Sequence, residues 1–286
     1  MWRAYAGLLA ELEIESTVKG ESQSKVKDVW EIGAAYESFM GRWSRLAAVE
    51  FLQWLSVPAG STWLDVGCGT GILTQAILDF ADPVKVRGID QASGFISFAE
   101  NHIRDPRAIF EVGAVESLKL GSNTYDAVVS GLVLNFVPNV DQAVSEMRRV
   151  TKPGGVVAAY VWDYADKMGL LRHFWDAAVV LDSQAATLDE GRRFPLCDPE
   201  RLRNLFIAQG LNDVDVRSID VQTRCVDFQD YWSPFLSGQG PAPSYVASLN
   251  NDQRADLRER VRARLPISAH GTIDLIARAW AVRGYS

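Results

Sequence analysis

Histidine and cysteine are both scarce in this chain, three of each among 286 residues. Cys68, Cys197 and Cys225 lie far apart, form no CxxC pair and have few histidines near them, so neither a structural zinc site nor a disulfide framework is indicated. No stretch of about 18 uncharged apolar residues occurs, which removes a membrane-spanning helix from consideration. The 29 Lys and Arg are scattered and outnumbered by 36 Asp and Glu, for a formal net charge of −7. Such a chain offers no footprint for nucleic-acid phosphates or anionic lipid. The opening MWRAYAGLLAELEIEST is interrupted by Glu11 and Glu13 and shows no small-residue cleavage pattern, so a secretory signal is not expected. There is no internal repeat. These absences leave a cytoplasmic chain with a small-molecule partner, no metal, no nucleic acid and no membrane span; a homodimer stays open.

What is present is organised. Residues 1–35 mix a short amphipathic run with the polar stretch KGESQSK and read as an extension. From there Tyr36, Phe39, Met40, Trp43 and Ala47 recur at helical spacing. Strand and helix signals then alternate: TWLDVG at 62–67, a helix near 71–81, VKVRGID at 84–90, a helix over 93–103, and AIFEVG at 108–113. YDAVVSG at 125–131 follows, then a helix over 139–151 and GVVAAYVW at 155–162. Short Val- and Ala-rich strands alternating with helices predict an α/β fold with a parallel sheet covered on both faces. Ligands then belong at the carboxyl ends of the strands, near the point where strand order reverses. Farther along, 168–183 and 198–210 read as helices, 212–223 as a strand and 271–283 as a closing strand. The aromatic, Gly- and Pro-rich stretch 228–266 reads as an insertion and a candidate lid, within a single domain over 36–286.

The stretch LDVGCGTG, 64–71, carries glycines at 67, 69 and 71 directly behind Asp65. Glycine lacks the Cβ that would block a tight turn and close ligand approach. A dinucleotide fingerprint would need its third glycine where Ile72 stands, and the phosphate loop ending in GK[ST] is absent. Asp65 would repel a pyrophosphate but attract a ligand bearing an ammonium or sulfonium. Asp90 follows at a strand end, 90 − 71 = 19 residues past the last glycine, suited to accept hydrogen bonds from two ribose hydroxyls. Nothing basic nearby would welcome a 2′-phosphate. A free ribose with a cationic, amino-acid-like tail and no phosphate describes S-adenosylmethionine.

Four motifs, WLDVGCGTG, GIDQASGFI, YDAVVSGLVLNFV and EMRRVTKPGG, together resemble those of class I S-adenosylmethionine-dependent methyltransferases of the small-molecule type, similar to the ubiquinone and menaquinone biosynthesis enzymes. The resemblance runs over roughly residues 36–163. It implies a doubly wound, Rossmann-like sheet of seven strands, mostly parallel, with the last antiparallel. It implies further that Gly67, Cys68, Gly69 and Gly71 hold the methionine end and ribose, with Asp65 favouring the ammonium. Asp90 would bind the ribose, Gln91 would lie beside the adenine, Ala114, Val115 and Glu116 would meet its edge, and Ser130 would border the cofactor. Relatives commonly carry Gly-Asp-Ala-Glu where this chain has Gly113-Ala114-Val115-Glu116. The missing carboxylate removes one hydrogen bond, worth about 1 kcal/mol net.

Methyl transfer needs an in-line nucleophile, exclusion of water and sometimes a base. His173 and Asp163 are the candidate bases. Aromatic walls suit the dispersing positive charge; Tyr36, Trp43, Trp162, Tyr164, Trp175, Tyr231, Trp232 and Phe235 are the candidates for an acceptor pocket. Arg42 is a candidate for the methionine carboxylate. The reading is methyl transfer to an O, N or C centre of a small, aromatic or apolar molecule. Its rivals are a non-catalytic S-adenosylmethionine-binding protein and a nicotinamide-dependent oxidoreductase.

Overall fold

The computed structural model describes residues 41–236 and 240–286. Tyr36, Phe39 and Met40, the first half of the expected amphipathic stripe, lie outside the described residues. Seven strands, β1 (Thr62–Val66), β2 (Lys85–Asp90), β3 (Ala108–Val112), β4 (Tyr125–Gly131), β5 (Thr151–Trp162), β6 (Asn212–Cys225) and β7 (Ile273–Tyr285), form one sheet in the order 3-2-1-4-5-7-6. β1 pairs in parallel with β2 and β4, β2 with β3, and β4 with β5. β7 inserts between β5 and β6 and runs antiparallel to both. The sheet is therefore parallel except for its last strand, as expected, and strand order reverses between β1 and β4.

Side chains alternate across this sheet with the strand period of two. Trp63 and Asp65 of β1, Ala127 and Val129 of β4, and Val156, Ala158, Tyr160 and Trp162 of β5 point to one face; Leu64, Val66, Val128, Val157, Ala159 and Val161 point to the other. The first face is covered by α1 (Arg42–Leu55), α2 (Ile72–Phe80) and α5 (Gly169–Leu181), the second by α4 (Val140–Val150) and α7 (Pro199–Ala208). α3 (Ser93–His102) links β2 to β3, and its Ile96 and Ala99 pack on Phe110. Trp43, Ala47, Ala48, Phe51, Leu52 and Leu55 make the buried stripe of α1, and the Phe51 ring meets Tyr160 at 4.7 Å.

The 228–266 insertion folds as α8 (Phe228–Trp232), α9 (Pro241–Ser248) and α10 (Asn251–Arg264), α10 opening with a capping box between Asn250 and Gln253. Its aromatic residues are structural. Phe235 stacks on Phe174 of α5 at 4.5 Å, Tyr245 packs against Phe174 and Trp175, and Tyr231 donates its hydroxyl to the Leu170 carbonyl at 2.7 Å. The described part of the insertion extends the core beside α5.

Candidate active site

The loop between β1 and α2 is shaped by three glycines in left-handed conformation, with φ of +73° at Gly67, +54° at Gly69 and +87° at Gly71. Each is needed for a different reason. A Cβ at Gly67 would stand 2.6 Å from the Val133 methyls, and one at Gly71 would stand 2.5 Å from Ile103 Cδ1. A Cβ at Gly69 would meet nothing within 4 Å, so this glycine keeps open a space beside the backbone. The loop is pinned to β2, since Gly67 and Cys68 both donate their N–H to the Ile89 carbonyl, at 2.7 and 3.0 Å. Cys68 is the small residue that fits against Gly88 and Phe110, and burial pushes its thiol well above the ordinary range.

Two carboxylates lie under this loop. Asp65 is fully buried; its Oδ2 accepts the Thr74 hydroxyl at 2.7 Å and its Oδ1 has no partner among the described residues. Burial raises its pKa to about 7, against the lowering effect of the Thr74 hydroxyl and with further help from the charge of Asp90. Asp90 accepts the Gly69 N–H at 2.9 Å and the Ala92 N–H at 2.8 Å, and burial raises its pKa as well, the two backbone bonds working against the rise.

Across the switch point, β4 ends at Gly131, where a Cβ would lie 2.8 Å from the Tyr160 hydroxyl oxygen. Leu132 follows at φ +65°, donating its N–H to the Tyr160 carbonyl at 2.8 Å. A bulky residue held left-handed is strained by roughly 1–2 kcal/mol, and the strain lies in the cleft wall. The cleft is lined by Gly67–Thr70, Asp90–Ala92, Gly131–Val133, Phe136, Tyr160, Trp162, Tyr164 and Glu190, with Asp65 at its floor and Ser44, Phe95 and Leu171 among its other walls. Its lining holds three carboxylates and no Lys, Arg or His among the described residues.

Glu190 had no part in the sequence reading. It opens α6 (Glu190–Arg193), a four-residue helix capped by Asp189, whose side chain accepts the Gly191 N–H at 2.9 Å. Asp189 also takes two hydrogen bonds from the Arg172 guanidinium, fastening α6 to α5. At Gly191 a Cβ would lie 2.5 Å from the Tyr164 carbonyl oxygen, so only glycine lets α6 press this close to the chain after β5. The Trp175 indole donates to Glu190 Oε2 at 2.6 Å, and burial raises the Glu190 pKa to about 7.

Of the residues expected to meet the cofactor, Asp65, Gly67, Cys68, Gly69, Asp90 and Gln91 come together in the cleft. The others do not line it. Gly71 is packed behind the loop, the Ser130 hydroxyl is spent on the Val66 carbonyl at 2.8 Å, Val115 is buried in the opposite core, and Ala114 and Glu116 flank it at the end of β3. The acceptor candidates divide likewise. Trp162 and Tyr164 line the cleft. Trp43 turns into the core and leaves the cleft to Ser44; Tyr231, Trp232 and Phe235 are core residues; Trp175 stands behind Glu190; Tyr36 lies outside the described residues. Neither candidate base reaches the cleft. Asp163 accepts the Asp166 N–H at 3.0 Å and closes a turn, while His173, its pKa lowered by burial, neighbours Asp176 and Arg264. Arg42 is engaged by Asp230 at 3.1 Å.

Residues 64–159 match the family described as the methyltransferase domain. A demethylmenaquinone methyltransferase of Bacillus licheniformis is 38% identical over 108 residues, 37% of this chain and 47% of that protein, so the chain spans about half the length of that relative. Its counterpart from Geobacillus stearothermophilus is 26% identical over 223 residues, 68% of this chain and 93% of that protein. Among solved structures, phosphoethanolamine N-methyltransferase 2 of Haemonchus contortus, in complex with S-adenosylhomocysteine, superposes with a TM-score of 0.55 at 17% identity, covering 88% of this chain and 56% of that one. The matched segment runs through β1 to β5, the half of the sheet that carries the glycine loop and the switch point. Over that segment the chain is similar to methyltransferase domains. Two features of the cleft fit S-adenosylmethionine: the Oδ1 of Asp65, buried with no partner among the described residues, and the free space over Gly69. No described helix is long and apolar enough to cross a membrane.

Proposed function

We propose that the chain transfers the methyl group of S-adenosylmethionine to a small molecule with an aromatic or apolar body. The observation that carries this reading is the cleft's charge: three carboxylates and no cation among the described residues of its lining, gathered around a glycine loop at the switch point. Such a site disfavours a dinucleotide pyrophosphate and favours a cation. Asp65 would favour the ammonium or sulfonium end of the cofactor, with the Gly67 and Gly69 backbone giving it room. Asp90 has lone pairs left beyond those given to Gly69 and Ala92, and these would accept from the ribose hydroxyls. Gln91, Ala92 and Phe95, where β2 passes into α3, would flank the adenine.

The bound cofactor supplies a methyl already activated by its sulfonium. The remaining work is positioning and dehydration, which by themselves account for much of the rate of such transfers. Tyr160, Trp162 and Tyr164 from β5 and the segment after it, Phe136 after β4 and Leu171 of α5 form an apolar wall opposite the loop. Their faces exclude water and stabilise dispersing positive charge. The Phe194 ring braces this wall from behind, edge-on to Phe136 at 5.0 Å and to Tyr164 at 5.6 Å.

Isothermal titration with S-adenosylmethionine and S-adenosylhomocysteine tests the reading, followed by transfer of radiolabelled methyl to a panel of aromatic and apolar acceptors. Binding by the wild type and at least a tenfold loss in D90A are expected. No binding of either ligand at millimolar concentration would sink the reading.

A further inference from the structure

We propose, building on the methyl-transfer reading, that Glu190 is the proton acceptor for the attacking group, and that the natural acceptor therefore presents a neutral hydroxyl on its apolar body. Three observations converge. Glu190 is the one carboxylate of the cleft lining that stands outside the β1–α2 and β2–α3 segments proposed to hold the cofactor; it enters the wall beside Tyr164, Trp162 and Leu171. Its orientation is fixed by a dedicated donor, the Trp175 indole at 2.6 Å on Oε2, and by a four-residue helix clamped through Asp189 and Arg172. Finally, a buried carboxylate needs a reason to exist, and no cation pairs with this one at salt-bridge distance among the described residues.

The charged groups around Glu190 are Asp189 and Arg193 on its own helix, and Arg172 on α5, which is taken up by Asp189. Its pKa of about 7, set mainly by burial, matches a base that works at neutral pH. In the step itself the acceptor oxygen attacks the methyl carbon and forms the new C–O bond. The methyl–sulfur bond breaks with its electron pair going to sulfur, which becomes a neutral thioether. The O–H pair stays with oxygen and the proton passes to Glu190. Charge and atoms balance without a further reactant. Trp175 acts as a positioning residue: its N–H favours the charged form of Glu190.

The test compares wild type, E190Q and W175F by titration with S-adenosylhomocysteine and by pH profiles of methyl transfer to hydroxylated aromatic acceptors. Unchanged S-adenosylhomocysteine binding in all three is expected and, at saturating S-adenosylmethionine, a wild-type rate falling below about pH 7 and a rate lower by 10²–10⁴ in E190Q without that limb. In W175F the limb moves to higher pH, because the bond that lowers the Glu190 pKa is gone. Infrared difference spectra should show protonated-carboxyl absorption that titrates near neutral pH in wild type, from Asp65 and Glu190 together, and E190Q should lose one of these two components. An E190Q that binds and transfers like wild type would overturn the base assignment, as would a cofactor-binding wild type that methylates no hydroxylated acceptor. If E190Q fails to fold, an unmoved limb in W175F overturns it instead. Failure of the wild type to bind cofactor at all would overturn the methyl-transfer reading itself.

Discussion

Asp65 is a buried carboxylate with no counter-charge among the described residues, and its proton equilibrium couples stability to ligand binding. In the folded chain its pKa is about 7, whereas the unfolded chain titrates it near 3.8. Between those values the native state holds a proton that the unfolded state has released, so the contribution to stability is fully present below pH 3.8 and is lost as pH rises through 7. The loss amounts to a few kcal/mol, at roughly 1.4 kcal/mol per tenfold change. D65N should therefore melt higher than wild type at pH 8, with a flatter dependence of Tm on pH between 5 and 8, as scanning calorimetry would show. The same substitution should weaken S-adenosylmethionine at least tenfold, and wild-type affinity should itself fall between pH 8 and pH 6 as Asp65 loses its charge. Glycine positions separate fold from function in the same way. G67A drives a methyl into Val133 and should destabilise by several kcal/mol, while G69A meets nothing and should pay only about 1–2 kcal/mol for its φ while losing cofactor affinity. Asp65, Asp90 and the loop glycines were legible because their meaning is local spacing. Glu190 was not, because DEGRR reads as a solvated charge run; what makes it a site residue is Trp175, 15 residues earlier in the chain.

At the scale of elements, period and alternation located every strand of the sheet, with β7 found two residues farther along than the expected 271–283. The same patterns could not say which way an aromatic residue faces once helices pack on helices. Trp43 and Ser44 are neighbours on α1, yet the large residue enters the core and the small one the cleft. In the 228–266 insertion, aromatic richness suggested a wall for the substrate, but α8, α9 and α10 needed those rings to cover α5. F235A decides between the two roles. Phe235 is wholly buried against Phe174, Tyr231 and Trp232, so truncation should cost about 3–5 kcal/mol in chemical denaturation and leave the acceptor KM of the folded fraction unchanged. A lid residue would give the reverse, a changed KM with little loss of stability. Leu132 marks the opposite arrangement. Its left-handed backbone was invisible in a stretch, GLVLNFV, that has no glycine or asparagine at that position.

The molecule as a whole sets what the cleft admits. Its formal charge is −7, and the described lining of the aromatic-walled cleft repeats the imbalance locally, with Asp65, Asp90 and Glu190 and no cation. A bound cofactor would offset part of this field through its sulfonium and ammonium, while its own carboxylate would restore one negative charge. An acceptor that brought a further anionic group into the same space would meet Glu190 directly. For two like charges about 6 Å apart at an effective dielectric constant near 20, the repulsion is about 3 kcal/mol, roughly a hundredfold in binding. A neutral hydroxylated aromatic and the same ring carrying a carboxylate should thus differ by about that factor in kcat/KM, and the gap should barely respond to salt because Glu190 is buried. The dependence on Glu190 is the sharper point: in E190Q the discrimination should shrink even as the rate falls, because one side chain both repels the anion and takes the proton. Equal kcat/KM for the two acceptors in wild type would mean that the charge of this cleft does not govern its choice of substrate.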